Sequence, residues 1–198
     1  MFTGIVEELG KVKDIKHEST SSVQLTIHAS TITSDINIGD SIAVNGICLT
    51  VIDYRDDAFD VDVMPETIKA TSLHALKAGS PVDLERAMPA NGRFGGHFVS
   101  GHIDGTGKIT RKERQENAIY YDIEIAEELQ MYLLKKGSIA VDGVSLTIFE
   151  VNGQTFTISL IPHTVSQTIL GEKGVGDVVN IECDMLAKHV EQMIKSNN

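Results

Sequence analysis

This 198-residue chain has no run of basic residues, and its 17 Lys and Arg are outnumbered by 28 Asp and Glu, for a net charge of −11. Nucleic acid or an anionic membrane surface would call for cationic patches, so neither is an expected partner. Long apolar runs are also missing; none approaches the roughly 20 residues that a helical membrane span requires. The first residues carry neither the charged nor the apolar segment of a secretion signal, which leads us to expect a cytoplasmic protein. Cysteine is scarce: Cys48 and Cys183 stand outside any metal-ligand spacing and need no disulfide, as suits a reducing compartment. The glycine-dense stretch "GRFGGHFVSGH", residues 92–102, has neither a G-x-G-x-x-G register nor the Lys-Ser/Thr of a P-loop. No nucleotide phosphate site is expected there.

What the sequence does contain is a near-repetition of itself. "SIAVNGICLTV", residues 41–51, returns as "SIAVDGVSLTI", residues 138–148. A shift of 97 takes Gly46 to Gly143, Thr50 to Thr147, Pro65 to Pro162, Thr67 to Thr164 and Glu85 to Glu182, and lays "TGIVEELGKV" from Thr3 on "SGHIDGTGKI" from Ser100. Only near Gly39 and Gly137 does the offset slip to 98. Two homologous modules follow, about 1–88 and 98–185, joined by "PANGRFGGH". As domains we expect 1–97, a first barrel with its linker; 98–185, a second barrel; and a tail, 186–198. A module of roughly 90 residues buries somewhat over 60% of its unfolded surface, enough for a small core.

Apolar residues alternate with period two at Val23, Leu25 and Ile27, at Phe59, Val61 and Val63, and at Val82 and Leu84. They do so again at Ile119, Tyr121, Ile123 and Ile125, at Phe156, Ile158 and Leu160, and at Val179 and Ile181. With turn residues between them, the pattern predicts an all-β protein of two small antiparallel barrels of six strands each. Met185, Leu186, His189, Val190 and Met193 recur at helical spacing, so a C-terminal α-helix is expected, either capping its own barrel or forming an oligomer seam.

Asn45-Gly46 between two β-prone runs predicts a two-residue hairpin. Folding there puts Ile42, Val44, Ile47 and Leu49 on one face and Ser41, Ala43, Cys48 and Thr50 on the other; the second copy repeats this with Ser138, Ala140, Ser145 and Thr147. An aliphatic face belongs in a core. A small polar face is either ordinary surface or a platform for a flat ligand with polar edges. "MPET", 64–67, and "IPHT", 161–164, read as strand exits where Pro ends the ladder and Thr supplies a hydroxyl. His97 and His102 are weak metal candidates with no third ligand nearby, and His17, His28 and His74 read as surface residues.

"MFTGIVEE", the "NG-I-C-LT" hairpin, "GGHFVSGHIDG", "DGVSLT" and "IPHT", together with the 97-residue duplication, resemble the riboflavin synthase family of the alpha-chain type, built on lumazine-binding repeats. The resemblance runs from Met1 to about Met185. It implies two Greek-key barrels per chain and a homotrimer held partly by C-terminal helices, and it raises association with lumazine synthase as a further expectation. It also implies dismutation of two 6,7-dimethyl-8-ribityllumazine molecules by four-carbon transfer, giving riboflavin and 5-amino-6-ribitylamino-pyrimidinedione, with no cofactor or metal.

The family's binding segments carry over to Gly4, Ile5, Val6, Cys48, Leu49, Thr50, Asp62, Val63, Met64, Pro65, Glu66 and Thr67 in the first barrel. In the second they carry over to Gly101, His102, Ile103, Ser145, Leu146, Thr147, Ser159, Leu160, Ile161, Pro162, His163 and Thr164, with Lys136 reaching toward a neighbouring chain's ligand. The implied proton carriers are His102, Ser145, Thr147 and Cys48, with Asp184 as an orienting carboxylate; Cys48 reads equally as pocket wall. The rival expectations are a non-catalytic lumazine or flavin binder and a flavin oxidoreductase barrel. The latter is disfavoured because no nicotinamide-binding βαβ unit follows. If each module holds its own pocket, residues 1–97 alone should fold and bind lumazine or riboflavin.

Overall fold

The computed structural model describes residues 1–19 and 22–196. Its strands close into two antiparallel barrels. The first comprises β1 (Glu8–Ser19), β2 (Ser22–His28), β3 (Ser41–Val44), β4 (Ile47–Arg55), β5 (Ala58–Val63) and β6 (Pro81–Arg86), in the order β1-β2-β5-β4-β3-β6. The second comprises β7 (Gly105–Gln115), β8 (Ala118–Ile125), β9 (Ser138–Val141), β10 (Val144–Asn152), β11 (Thr155–Leu160) and β12 (Val178–Cys183), in the matching order β7-β8-β11-β10-β9-β12. Pairing of β2 with β5 and of β3 with β6 gives each barrel Greek-key connections. The repeat extends to irregularities: a register shift between Val12 and Asp14 recurs between Ile109 and Arg111, and one between Val51 and Asp53 recurs between Ile148 and Glu150.

The period-two residues fill two separate cores, one around Ile27, Phe59, Val61 and Leu84, the other around Ile109, Tyr121, Phe156 and Ile181. The hairpin pairs as its sequence predicts, Val44 with Ile47, Ala43 with Cys48 and Ser41 with Thr50. Both turn residues have positive φ, 48° at Asn45 and 80° at Gly46, repeated as 48° at Asp142 and 84° at Gly143. That is the type I′ geometry that Asn-Gly and Asp-Gly favour.

The small face of these hairpins is neither plain surface nor simply a ligand platform. Ala43 and Ala140 form a third buried cluster with Phe2 and Val99, where one barrel meets the other. At the two turns the backbones touch: a Cβ on Gly46 would stand 2.6 Å from the Gly143 nitrogen, and one on Gly143 would stand 2.7 Å from the Gly46 nitrogen. The absence of long side chains at these positions is thus first a requirement of barrel-to-barrel packing.

"MPET" and "IPHT" follow the strand ends at Val63 and Leu160, as expected, but each leads into a helix and not a loop. Pro65 and Pro162 open the short helices α1 (Pro65–Ala70) and α2 (Pro162–Gln167), where proline's missing N–H is no loss. The tail forms α3 (Met185–Ser196). The Asp184 Oδ1 accepts the Leu186 N–H at 2.9 Å, and Lys188 pairs with Asp104 at 2.8 Å, which fixes where the helix leaves the barrel. Leu186, Val190 and Met193 are more than half exposed, so this stripe does not cap its own barrel. Among the described residues no helix is long and apolar enough to cross a membrane.

Gly46 and Gly79 both hold positive φ, but a Cβ on Gly79 would meet nothing within 4 Å. Gly79→Ala should therefore cost only the conformational strain of roughly 1–2 kcal/mol, lowering Tm by about 2–8 °C. Gly46→Ala adds a backbone collision and should lower Tm clearly further. Equal shifts in thermal unfolding would contradict the close contact of the barrels.

Candidate active site

Each barrel clamps the loop that leads into its first strand. The Glu85 Oε1 accepts from the Thr3 N–H and hydroxyl at 2.7 and 3.1 Å, and its Oε2 accepts from the Gly4 N–H at 3.0 Å. Glu182 does the same for Ser100, at 2.7 and 2.6 Å, and for Gly101, at 2.9 Å. Burial pushes the Glu85 carboxyl above the ordinary carboxylate range, and these hydrogen bonds pull it back.

Held in this way, each loop is laid against the other barrel. The Ser145 N–H donates to the Gly4 carbonyl at 2.7 Å, and the Cys48 N–H donates to the Gly101 carbonyl at 2.9 Å. Gly4 (φ 78°) and Gly101 (φ 83°) sit so close that an added Cβ would stand 2.6 Å from the Ser145 Cβ and 2.5 Å from the Cys48 Cβ. Val6 packs on the second core and Ile103 on the first. A cleft of about 300 Å³ is accordingly lined by Cys48, Glu66 and Thr67 from the first half together with Gly101, His102 and Ile103 from the second. This corrects the pairing expected from sequence. Gly4, Ile5 and Val6 lie with Ser145 and not with Cys48, and Gly101, His102 and Ile103 lie with Cys48, so neither half owns a complete pocket.

The lumazine binding domain family matches residues 3–87 and again residues 100–184. Riboflavin synthase of Bacillus amyloliquefaciens is 60% identical over 194 residues, covering 98% of this chain and 90% of that protein. The chain belongs to the riboflavin synthase family. Riboflavin synthase of Bacillus subtilis (strain 168) is 58% identical over all of this chain and 92% of its own length. Solved structures of LumP superpose with a TM-score of 0.85 for the complex with riboflavin and 0.83 for that with 6,7-dimethyl-8-(1'-D-ribityl) lumazine. These are 28% and 27% identical, and each covers 92% of this chain and 99% of the LumP chain.

Within the riboflavin synthase fold the surroundings of Ser145 and Cys48 differ in one interaction that sequence reasoning missed. The Ser145 Oγ lies 2.7 Å from His97 Nδ1. His97 is 8% exposed, its Nε2 has no partner among the described residues, and burial pulls its pKa below the ordinary imidazole value against the opposing pull of Asp184 and Glu182. Burial therefore favours the neutral form of this ring. Subtracting 97 from its number leaves nothing, so the repeat assigns His97 no counterpart, and among the described residues no imidazole is hydrogen-bonded to Cys48. The signal is a histidine just ahead of the second copy, which the sequence offers only as a metal candidate with His102. Here His97 turns to Ser145 while His102 lines the Cys48 cleft.

Other expected site residues divide by burial. Leu49, Val63 and Leu160 are core residues that can offer a ligand only their backbone. Thr50, Asp62, Met64, Glu66, Thr147, Ile161, Pro162 and His163 are exposed, while Pro65, Thr67, Leu146, Ser159 and Thr164 are half-buried at the cleft-forming strand ends and helix starts. The Asp184 carboxylate caps α3 and does not hydrogen-bond Ser145; its charge reaches His97. The Lys136 Nζ lies over the Phe149 ring, 4.9 Å from its centroid. His28 and His74 are exposed, and the side chain of His17 lies outside the described residues. Among the described residues no three His, Cys, Asp or Glu gather as a metal site.

Two outcomes follow from this geometry. Cys48 is half-buried at the cleft, whereas Cys183 is buried with its thiol pushed up to about 12. A thiol reagent applied to the native protein at neutral pH should label Cys48 alone, as read by peptide mass, and fast labelling of Cys183 would contradict the packing. A fragment of residues 1–97 lacks Gly101–Ile103. It should bind riboflavin only when two copies pair, the Gly4–Val6 loop of one replacing the missing loop of the other. Tight binding by a monomeric fragment in sedimentation would show that the crossed loop is dispensable.

Proposed function

We propose that the chain is a riboflavin synthase that dismutates two 6,7-dimethyl-8-ribityllumazine molecules, moving four carbons from one to the other. The products are riboflavin and 5-amino-6-ribitylamino-pyrimidinedione. The observation that carries this reading is the pair of related but unequal loop crossings, Gly4 on Ser145 and Gly101 on Cys48, since the reaction uses one substrate in two parts. Identity of 58–60% to riboflavin synthases over nearly the whole chain supports it. The likeness to LumP, solved with lumazine and with riboflavin, favours both as ligands and supplies the second reading, a non-catalytic binder. Conversion of dimethylribityllumazine to riboflavin by the purified protein, with nothing added, separates the two.

The 7-methyl group of the lumazine is an acidic carbon because its anion delocalises into the ring. In this reading Ser145 and Thr147 face the molecule in one cleft, with the neutral His97 behind Ser145 to take up a proton. Cys48, Glu66 and His102 face the molecule in the other. Holding two planar molecules against each other supplies on the order of 7–11 kcal/mol through effective molarity, more than a single proton carrier worth about 10²–10⁴-fold. Positioning therefore dominates.

The domain division 1–97, 98–185 and 186–198, cytoplasmic location and a homotrimer belong to the same reading, as does Lys136 reaching a neighbouring chain's ligand; association with lumazine synthase stays a question for pull-down. The exposed stripe of Leu186, Val190 and Met193 supports the trimer.

His102→Gln should slow turnover by about ten- to thousandfold with little change in ligand affinity, in the range of a lost acid or base. Equal losses in both would make it a binding residue. Because burial lowers the His97 pKa, the acid limb of turnover set by its protonation should lie below the ordinary imidazole range and be absent from His97→Gln. Removing residues 186–198 should yield smaller oligomers with reduced activity; an active truncated monomer would contradict the trimer.

A further inference from the structure

Behind the touching turns lies a buried polar ring that neither cleft uses. In the second barrel the Asp142 Oδ1 accepts the Asn180 N–H at 2.8 Å, and in the first the Asn45 Oδ1 accepts the Asp83 N–H at 2.8 Å. Asn45 and Asp142 are related by the 97-residue shift, and so are Asp83 and Asn180, so amide and acid have exchanged places between the copies. Both outer members then cross to the other barrel. The Asn180 Oδ1 accepts the Ser72 N–H at 2.7 Å and its Nδ2 donates to the Asn45 carbonyl at 2.9 Å. The Asp83 Oδ1 accepts the Ile169 N–H, the counterpart of Ser72, at 2.8 Å.

One bond of this symmetric set remains. The Asp83 Oδ2 occupies the place of the Asn180 Nδ2, is fully buried and receives no hydrogen bond from any described residue. What it faces by symmetry is the Asp142 main-chain carbonyl, which can only accept. A carboxylate there would set negative charge against a carbonyl oxygen with no solvent to relieve it.

We propose that Asp83 is carried as the neutral carboxylic acid, its Oδ2–H donating to the Asp142 carbonyl as the Asn180 amide donates to that of Asn45, and that this proton is a pH-sensitive latch between the barrels. The charges around it agree. Asp142 is paired with the Lys173 Nζ at 2.6 Å, so that cation is already engaged by the other carboxylate. Glu8 on β1 is held by Ser30, Thr31 and Ile32, Glu85 on β6 by Thr3 and Gly4, and Asp35, in the 3-10 turn that packs on β6, pairs with Arg86. His74, on the turn facing β12, bonds the Thr71 carbonyl. Burial, and then the Asp142 charge, push the Asp83 carboxyl well above the ordinary carboxylate range, against the Ile169 N–H and Lys173.

The sign follows from linkage. A carboxyl whose folded pKa is raised lends its full stability below the unfolded value of about 3.9 and loses it as pH climbs toward the folded value. Across that window the unfolding constant of the native chain should rise by up to about tenfold per pH unit from this group. Asp83→Asn keeps both hydrogen bonds without a proton, so it should fold and lose that slope, gaining on the wild type as pH rises. Asn180→Asp, which writes the same acid into the second copy, should add a slope of its own. Independently of any variant unfolding, infrared spectra of protein labelled at aspartate carboxyls should show a neutral-acid carbonyl band at neutral pH, absent from Asp83→Asn. An unlabelled-like spectrum without that band, an Asp83→Asn chain that does not fold, or an unchanged pH slope would overturn the proposal.

Discussion

The contact of two hairpin turns, backbone against backbone, sets everything else in this molecule. Gly46 and Gly143 let the turns approach within the space a side chain would fill, and the rest of each hairpin's outer face must then stay small so that the barrels can close on one another. This is why Ala43 and Ala140 are invariant between the copies and why no Lys or Glu intrudes there. The same approach delivers each N-terminal loop to the opposite barrel, where Gly4 meets Ser145 and Gly101 meets Cys48. The loops hold these positions because each is pinned at one end by a buried glutamate and at the other by the neighbouring strand, and beside the Gly101 crossing a cleft opens.

Duplication of one module gives symmetry, and a reaction in which one substrate plays two parts needs that symmetry broken locally. The breaks are few. Cys48 against Ser145 changes a thiol to a hydroxyl, and among the described residues the hydroxyl alone has an imidazole within hydrogen-bond distance. His97 can break the symmetry because it belongs to the connection between the modules and so lies outside the repeat. The exchange of Asn45 for Asp142 lies elsewhere: it belongs to the ring that joins the barrels, compensated by Asp83 opposite Asn180 and by Lys173.

Much of this was legible in the chain. Alternation at Phe59, Val61 and Val63 and the Asn45-Gly46 signal predicted strands, register and turn, because those depend on neighbours in sequence. The 97-residue shift placed the binding segments in pairs, apart from Lys136. What it concealed was which member of each pair shares a cleft with which hairpin, since a repeat looks the same whether its loops fold back or cross over. Crossing is decided by the Gly4 and Gly101 contacts, a tertiary fact with no local signature. Val63 and Leu160 illustrate a second limit: a binding segment on a strand alternates, so half of its side chains face the core. Pro65 and Pro162 illustrate a third, because a proline after a strand reads equally as the end of a ladder and as the first residue of a helix.

The most direct test of the crossed arrangement is a structure of the full-length protein with riboflavin or dimethylribityllumazine bound. Our account predicts one ligand touching Cys48, Thr67 and the Gly101–Ile103 loop, and a second touching Ser145, Thr164 and the Gly4–Val6 loop. A ligand held by Cys48 together with Gly4–Val6 of the same chain would contradict it.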